Sequence, residues 1–159
     1  MSARVGIVMG SRSDEPIMKH AEETLRGLGV EVEMRVLSAH RTPDALRDWV
    51  VESDRRGVRV FIAGAGAAAA LPGVVAAFTT RPVIGVPLVA PNAVANGLDA
   101  LLSIVQMPRG VPVATVALGE AGAANAGILA AEILATGDEA LAGRVRMLRE
   151  GMAAKVLAG

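Results

Sequence analysis

The chain has 159 residues, and its 16 Lys and Arg residues balance its 16 Asp and Glu residues, so the formal net charge is zero. This balance excludes a broad electrostatic attraction to nucleic acids or to anionic membranes. The chain contains no cysteine, which excludes disulfides, thiolate nucleophiles and zinc–sulfur sites. The composition therefore favours a cytoplasmic protein.

Five runs rich in Val and Ile predict β-strands, and the stretches between them have the spacing or the composition of helices. Most of these runs are continuously apolar, which is typical of parallel strands covered by helices on both faces. The second run instead alternates apolar with polar residues, which predicts a position at the edge of the sheet. The strands are expected at Arg4–Met9, Val30–Leu37, Val58–Ala63, Pro82–Pro87 and Pro112–Leu118.

This alternation predicts one α/β domain over residues 1–159. Right-handed crossovers give a doubly wound parallel five-stranded sheet of flavodoxin-like order 2-1-3-4-5, with helices on both faces and an extra C-terminal helix. The first helix is expected to begin near Ser13–Asp14 and to stop at Gly29, and the second takes Thr42 as its N-cap. The uncharged run 60–80 is long enough for a membrane span, but its Ala and Gly content favours a strand, a turn and a buried helix.

Ligands of such sheets bind at the carboxyl ends of the strands. The segment "GSRSD" (Gly10–Asp14) lies at one such end, where a phosphate site and plain capping by Ser13 or Asp14 are about equally consistent with the sequence. The segment "GAGAAAALPG" (Gly64–Gly73) allows either a close approach to a ligand or tight packing. It has no acidic residue near it to hold a ribose, so a nicotinamide cofactor is not expected.

The segment "SAHRTP" (Ser38–Pro43) places a histidine and an arginine between the second strand and the second helix. The positive end of that helix favours a neutral His40 ring that exchanges protons near pH 7. Arg41 offers a cationic fork for a phosphate or a carboxylate. The alternative is that both residues only tie the loop down. His20 lies among charged residues of the first helix, and we assign it no role.

The segment "QMPRG" (Gln106–Gly110) precedes the fifth strand, and Met107 is a candidate wall or lid over a flat ring, although an ordinary loop fits equally well. The chain has only two histidines, twenty positions apart, and the candidate loops carry few carboxylates. We therefore predict no metal.

Taken together, the segments "VMGSRSD", "SAHRTPD", "AGAG", "ALPG", "SIVQMPRGVPVATVALG" and "AANAGILAAEIL" resemble the N5-carboxyaminoimidazole ribonucleotide mutase family of purine biosynthesis, in order over nearly the whole chain. The resemblance implies an isomerase that moves a carboxylate from the exocyclic nitrogen of a ribonucleotide to a ring carbon, without a cofactor. It also implies a homo-octamer in which neighbouring subunits complete each site.

The same resemblance implies roles for particular residues. His40 would carry the protons, Ser11 and Arg41 would hold phosphate or carboxylate oxygens, and Asp14 would hold the ribose hydroxyls. The remaining residues expected to line the pocket are Ser38, Ala65, Gly66 and Met107.

The chain departs from the family pattern in the glycine-rich loop, and the segment "PLVAPNAVANGLDALLS" before "IVQMP" also differs from the usual family sequence. The family usually has "GAGGAAHLPG", so that Ala67 replaces a glycine and Ala70 replaces a histidine. Two alternatives therefore stay open: a related carboxylase that uses carbon dioxide directly, and a paralogue with lost or altered activity. The carboxylase typically has "SAHKT" and "AGRSN", so this sequence favours the mutase. A receiver domain would need an Asp at the end of the third strand, where this chain has Ala63–Gly64, and a flavin-binding module would need more aromatic residues.

Overall fold

The protein is described by a computed structural model that covers residues 4–159. Its strands are β1 (Val5–Met9), β2 (Val32–Val36), β3 (Val60–Gly66), β4 (Val83–Leu88) and β5 (Ala114–Thr115). Its α-helices are α1 (Glu15–Gly27), α2 (Pro43–Arg56), α3 (Leu71–Ala77), α4 (Leu98–Val105), α5 (Gly119–Ala135) and α6 (Glu139–Leu157). Single 3₁₀ turns precede α1 and α4, at Arg12–Asp14 and Ala95–Gly97.

All five strands are parallel, and their order is β2-β1-β3-β4-β5, as the sequence predicts. The alternating strand β2 lies at the edge. Its polar side is used for packing against α2, because the Glu33 carboxylate accepts hydrogen bonds from Trp49, Ser53 and Arg56. The predicted edge position of this strand is therefore confirmed, and α2 supplies hydrogen-bond partners for the Glu33 carboxylate.

Helices cover both faces of the sheet. Helices α1, α5 and α6 share one core with residues such as Ile7 and Ile62, and helices α2, α3 and α4 share the other with residues such as Val8 and Phe61. Neighbouring residues of one strand thus enter opposite cores, as the pleat of a strand requires. The alanine-rich α5 packs closely on α1, where a Cβ at Gly127 would lie 2.8 Å from the carbonyl oxygen of Ala21.

All five strands differ from their predicted bounds by at least one residue, and β3 and β5 differ most. Strand β3 continues through Gly66, three residues beyond the predicted Ala63, because it pairs with β4 as far as Leu88. Strand β5 is only two residues long, and it pairs with β4 over Ile84 and Gly85. Pro112 has no N–H to donate to a ladder, which shortens this edge strand on its N-terminal side.

The uncharged run 60–80 forms β3, a turn and α3, as predicted. In the part of the chain that is described, no helix has both the length and the apolar character needed to cross a bilayer.

Candidate functional site

The carboxyl ends of β1, β2, β3 and β4 surround a cleft of about 570 Å³. This volume lies within the range of about 300–1,000 Å³ that is usual for small-molecule sites. Seven of the eight residues that the sequence singles out line this cleft: Ser11, Asp14, Ser38, His40, Arg41, Ala65 and Gly66. The fold therefore brings together side chains and backbone from three separate segments of the chain.

Met107 is the exception, because it does not belong to the lining of this cleft. Its half-buried side chain lies against α3, where its sulfur is 3.1 Å from the position of a Cβ built on Gly73. Conversely, the loop after β4 lines the cleft with Val89, Ala90 and Pro91, which the sequence analysis did not single out. These three residues carry no chemical signal in the sequence, so only the fold identifies them.

The segment "GSRSD" forms the turn after β1 and includes the 3₁₀ turn Arg12–Asp14. The Ser11 hydroxyl accepts hydrogen bonds from the Ser13 N–H at 3.3 Å and from the Ser13 hydroxyl at 2.9 Å, so Ser11 caps the 3₁₀ turn. The expected capping by Ser13 or Asp14 is wrong, since Ser11 caps the turn, and the Asp14 side chain makes no capping bond at the start of α1. The Asp14 carboxylate therefore remains available to a ligand in the cleft.

Asp14 lies half-buried at the start of α1. Burial disfavours the charged form and raises the pKa of this carboxyl above its ordinary value of 3.8, while a backbone hydrogen bond with Ser11 acts in the opposite direction. A ligand that donates hydroxyl hydrogens to the carboxylate would replace the hydration that burial removes. The position thus suits the donor groups of a ribose.

The loop after β2 presents His40 and Arg41, both exposed to solvent in the cleft. The Arg41 guanidinium donates to the carbonyl oxygen of Gly10 at 3.0 Å and to the Ser38 hydroxyl at 3.4 Å. These bonds connect the loop after β2 with the loop after β1. They leave the other guanidinium N–H groups for an anion, so that Arg41 both joins the loops and offers a charge.

Thr42 occupies the N-cap position of α2, as predicted, but its hydroxyl makes no capping bond to that helix. It accepts a hydrogen bond from the Ser38 N–H at 2.8 Å and donates one to the Ser38 carbonyl oxygen at 3.1 Å. Pro43 at the first position of α2 has no N–H that would need a cap.

Gly64 and Gly66 of β3 are both tightly packed against neighbouring residues. A Cβ at Gly64 would collide with the Met18 side chain of α1, and a Cβ at Gly66 would lie 3.0 Å from the Cβ of Ala90. Gly66 also lines the cleft, so the absence of a side chain at this position leaves room both for Ala90 and for the cleft.

Ala67, immediately after β3, has a φ of +51°, in the left-handed region that favours glycine. For a residue with a Cβ this conformation costs about 1–2 kcal/mol. We expect Ala67→Gly to raise the free energy of unfolding by up to about 1 kcal/mol, because relief of the conformation outweighs the extra freedom of glycine in the unfolded chain. Urea unfolding measures the difference.

The matched control is Ala68→Gly, at the next position, where φ is not positive. It should lower the stability by about 0.5–1 kcal/mol, the usual cost of a glycine. A loss of stability in Ala67→Gly as large as in the control would contradict a strained Ala67.

A second hollow, of about 890 Å³, lies at the opposite edge of the sheet, next to the start of β4. Its charged groups already satisfy each other, because Arg81 Nε donates to Asp54 at 2.8 Å and the Thr79 hydroxyl donates to the same carboxylate at 2.9 Å. This pairing lowers the pKa of Asp54. The charges of this hollow are thus paired with each other, whereas the smaller cleft combines His40, Arg41 and Asp14, so the smaller cleft is the better candidate.

Within residues 4–159, no three His, Cys, Asp or Glu side chains come together in a group that could hold a metal ion.

Comparison with known proteins gives consistent matches. The family model described as AIR carboxylase matches residues 4–155. The N5-carboxyaminoimidazole ribonucleotide mutase of Vibrio parahaemolyticus is 54% identical over 98% of this chain and 95% of its own length. The mutase of Bacillus subtilis is 54% identical over 99% of this chain and 96% of its own length.

Solved structures match the whole fold. The crystal structure of Treponema denticola PurE2-S38D superposes with a TM-score of 0.88 at 30% identity, covering 99% of this chain and 96% of that one. The crystal structure of Treponema denticola PurE gives a TM-score of 0.86 at 30% identity, covering 97% and 94% of the two chains. Three findings agree: the family model spans nearly the whole sequence, relatives are more than 50% identical, and the fold is shared. The chain therefore belongs to the AIR carboxylase family.

Proposed function

We propose that this protein is an N5-carboxyaminoimidazole ribonucleotide mutase of purine biosynthesis, an isomerase that converts the N5-carboxylated ribonucleotide into the 4-carboxylated one. Relatives of that name are 54% identical over nearly the whole chain. The observation that carries the proposal is the joint presence of His40, Arg41 and Asp14 in one cleft at the carboxyl edge of the sheet. The cleft thereby combines a proton carrier with a cation and with an acceptor for hydroxyl groups.

The reaction needs one proton donor and acceptor. The bond between the exocyclic nitrogen and the carboxylate breaks, carbon dioxide leaves, and the electron pair stays on the nitrogen, which takes up a proton. The ring carbon then forms a bond to carbon dioxide and loses its own proton. His40 delivers the first proton and removes the second, so that it ends the cycle as it began. Retention of carbon dioxide in the cleft gives it a high effective concentration next to the ring.

The binding roles follow the chemistry of each residue. Arg41 and Ser11 hold phosphate or carboxylate oxygens, since a guanidinium and a hydroxyl both donate hydrogen bonds. Asp14 accepts bonds from the ribose hydroxyls. The others, Ser38, Ala65 and Gly66, shape the wall of the cleft. No step requires an oxidant or a Lewis acid, and we propose that the enzyme uses no cofactor and works in the cytoplasm.

The pKa of Asp14 provides a test with a defined sign. The pKa of Asp14 is higher in the folded protein than in the unfolded chain. The folded protein is therefore more stable when Asp14 is protonated, and this stability is lost as the pH rises through the raised pKa. We expect Asp14→Asn to raise the melting temperature near neutral pH and to weaken nucleotide binding. The gain in stability should vanish below the unfolded-state pKa of about 3.8–3.9.

Thermal unfolding against pH and calorimetric titration with the 4-carboxylated ribonucleotide measure these two effects. The matched control is Glu52→Gln, on the exposed side of α2, which should change neither quantity. An Asp14→Asn protein that binds the nucleotide as tightly as the unmodified protein would remove Asp14 from the site.

The direct carboxylase is the second candidate, and isotope retention separates it from the mutase. The N-carboxylated ribonucleotide is labelled with ¹³C in its carboxylate and is incubated with the protein in unlabelled bicarbonate. A mutase that keeps carbon dioxide in its cleft gives a product that retains the label. A carboxylase that takes carbon dioxide from solution gives an unlabelled product, and this outcome would contradict the proposal.

We also propose that the enzyme is a homo-octamer. The exposed side of α4 supports subunit contacts, because Leu98, Leu102 and Val105 follow each other at helical spacing and are 46%, 49% and 48% exposed. The exposed Val89, which lines the cleft, lies near the start of α4, because its Cγ2 is 3.0 Å from the position of a Cβ built on Gly97. A subunit that covered α4 would therefore lie beside the cleft.

Leu102→Lys places a charge in the middle of this apolar face. We expect it to lower the mass of the assembly below eight copies in sedimentation equilibrium, since burial of an unpaired ammonium in an interface is costly. Ser103→Lys adds the same charge to the neighbouring exposed position of α4 and should leave the mass unchanged. An unchanged mass in Leu102→Lys would show that α4 is not a subunit contact.

A further inference from the structure

The loop that carries His40 is closed by one side chain that has no role in the site described above. Three hydrogen bonds connect Thr42 to Ser38: the hydroxyl accepts from the Ser38 N–H at 2.8 Å, it donates to the Ser38 carbonyl at 3.1 Å, and the Thr42 N–H donates to the same carbonyl at 3.0 Å. Both backbone polar groups of Ser38 are thus satisfied by Thr42. The residues between them, including His40 and Arg41, form a closed turn.

The side chain of His40 depends on this turn for its position. Among residues 4–159, no group forms a hydrogen bond with the His40 ring, and the bonds of this loop involve Ser38, Arg41 and Thr42 instead. A catalytic histidine is usually oriented by a partner on its second nitrogen. Here the backbone of the closed turn must supply the orientation, because the ring itself is exposed and unpaired.

Arg41 depends on the same turn. Its backbone N–H and its Nε both donate to the Ser38 hydroxyl, at 3.1 and 3.4 Å. A displacement of Ser38 would therefore move the guanidinium as well as the imidazole. One residue that fixes Ser38 fixes both chemical groups of the loop.

The use of the Thr42 hydroxyl is not explained by helix stability. A threonine at the N-cap normally accepts a hydrogen bond from the second or third N–H of its helix, and this bond is absent at the start of α2. The hydroxyl is turned back into the loop instead. Local stabilising rules are most often broken at functional sites, where the side chain is needed elsewhere.

We propose that Thr42 is a positioning residue, whose hydroxyl holds Ser38 so that His40 and Arg41 are fixed in the cleft before the substrate binds. This inference rests on the proposed function, in which His40 carries the proton. Proton transfer depends steeply on geometry, because a misplacement of about 1 Å can reduce the rate by about 100-fold. Anion binding by Arg41 tolerates larger displacements, so kcat should suffer more than nucleotide affinity.

The test compares Thr42→Val, which keeps the branched shape and removes the hydroxyl, with Thr42→Ser, which keeps the hydroxyl. We expect kcat for the isomerisation to fall by at least about tenfold in Thr42→Val, and nucleotide affinity to fall by less. Thr42→Ser should restore kcat to within about threefold of the unmodified enzyme. Thr42→Ala, which adds no atoms, repeats the test without any risk of a steric clash.

Thr24→Val is the matched control. The Thr24 hydroxyl donates to the carbonyl oxygen of His20 at 2.7 Å inside α1, so this variant also loses a hydroxyl-to-backbone bond, but outside the cleft. Its kcat should equal that of the unmodified enzyme. Wild-type kcat in folded Thr42→Val and Thr42→Ala would overturn the inference, and so would a Thr42→Ser variant as slow as Thr42→Val.

Amide hydrogen exchange separates a failure of this inference from a failure of the proposed function. The backbone N–H of residue 42 should be less protected from exchange in Thr42→Val than in Thr42→Ser, whether or not the protein is a mutase. An active enzyme whose kcat does not respond to Thr42 overturns the positioning role and leaves the mutase proposal intact. An unmodified protein with no isomerase activity overturns the mutase proposal. Equal protection of residue 42 in the two variants overturns the inference that the hydroxyl holds the turn closed.

Discussion

His40→Asn is expected to abolish turnover while nucleotide binding is retained. Asparagine keeps a polar side chain in the exposed loop, but it cannot take up and release a proton. General acid–base catalysis by a positioned side chain typically contributes about 10²–10⁴-fold, so we expect kcat to fall by at least about 100-fold. The dissociation constant of the 4-carboxylated ribonucleotide should change by less than about threefold, because Arg41 and Ser11 hold its anionic groups.

His20→Asn is the control for this variant. His20 is the other histidine of the chain, and it lies in α1, where its ring is 4.0 Å from the exposed Glu120 carboxylate. Its replacement should leave kcat and binding unchanged. Substantial isomerase activity in His40→Asn, measured as formation of the 4-carboxylated product, would defeat the assigned role.

Arg41→Ala is expected to weaken nucleotide binding by about 10- to 100-fold. A hydrogen bond to a charged group contributes about 1.5–3 kcal/mol, and about 1.4 kcal/mol corresponds to tenfold in affinity. Part of this loss comes from the bond to the carbonyl oxygen of Gly10, which joins the two loops of the cleft. Isothermal titration calorimetry with the 4-carboxylated ribonucleotide measures the dissociation constant.

Arg47→Ala removes the same charge from the exposed side of α2, where Arg47 contacts Asp48 at 3.2 Å. Because this position lies outside the cleft, the affinity should stay within about threefold, since the interaction of distant surface charges is screened. An Arg41→Ala protein that binds as tightly as Arg47→Ala would show that Arg41 does not contact the anionic part of the ligand.

The order of the sheet could be predicted because it depends on local patterns. Continuous apolar runs indicate buried parallel strands, and the alternation around Glu33 indicates an edge strand. Together with right-handed crossovers these patterns leave few arrangements. The same reasoning placed Gly10–Asp14 and Ser38–Pro43 at one edge, because the carboxyl ends of parallel strands lie together.

The contacts inside the cleft could not be predicted in this way. Asp14 could cap α1 or face a ligand, and the Thr42 hydroxyl could cap α2 or bind Ser38. In each case the competing local geometries differ by about one hydrogen bond. The end of β3 was misplaced for a related reason. Ala65 and Gly66 have little β-propensity of their own, and they are in the strand because β4 pairs with them.

The contact made by Met107 could not be predicted either, for a different reason. The "QMPRG" segment indicates a loop with an adaptable side chain, but nothing in it specifies which neighbour Met107 contacts. In the structure the neighbour is Gly73 of α3, whose lack of a Cβ leaves room for the thioether. A contact of this kind depends on long-range packing, which local patterns do not encode.

The loop after β3 contains Ala67 and Ala70, the two positions where the sequence analysis expects a glycine and a histidine from the family pattern. Ala67 has a φ of +51°, in the left-handed region that favours glycine, and Ala70 lines the cleft without a titratable group. His40 is consequently the only imidazole of the cleft. If the reaction proceeds, one histidine is sufficient for both proton transfers.

The most direct test of the account is an isomerase assay with the purified protein. The N5-carboxylated ribonucleotide is supplied without ATP and without added bicarbonate, and formation of the 4-carboxylated isomer is followed against the reaction without protein. We expect rapid formation of the isomer, well above the spontaneous rate. Decarboxylation at the background rate, with no 4-carboxylated product, would contradict it.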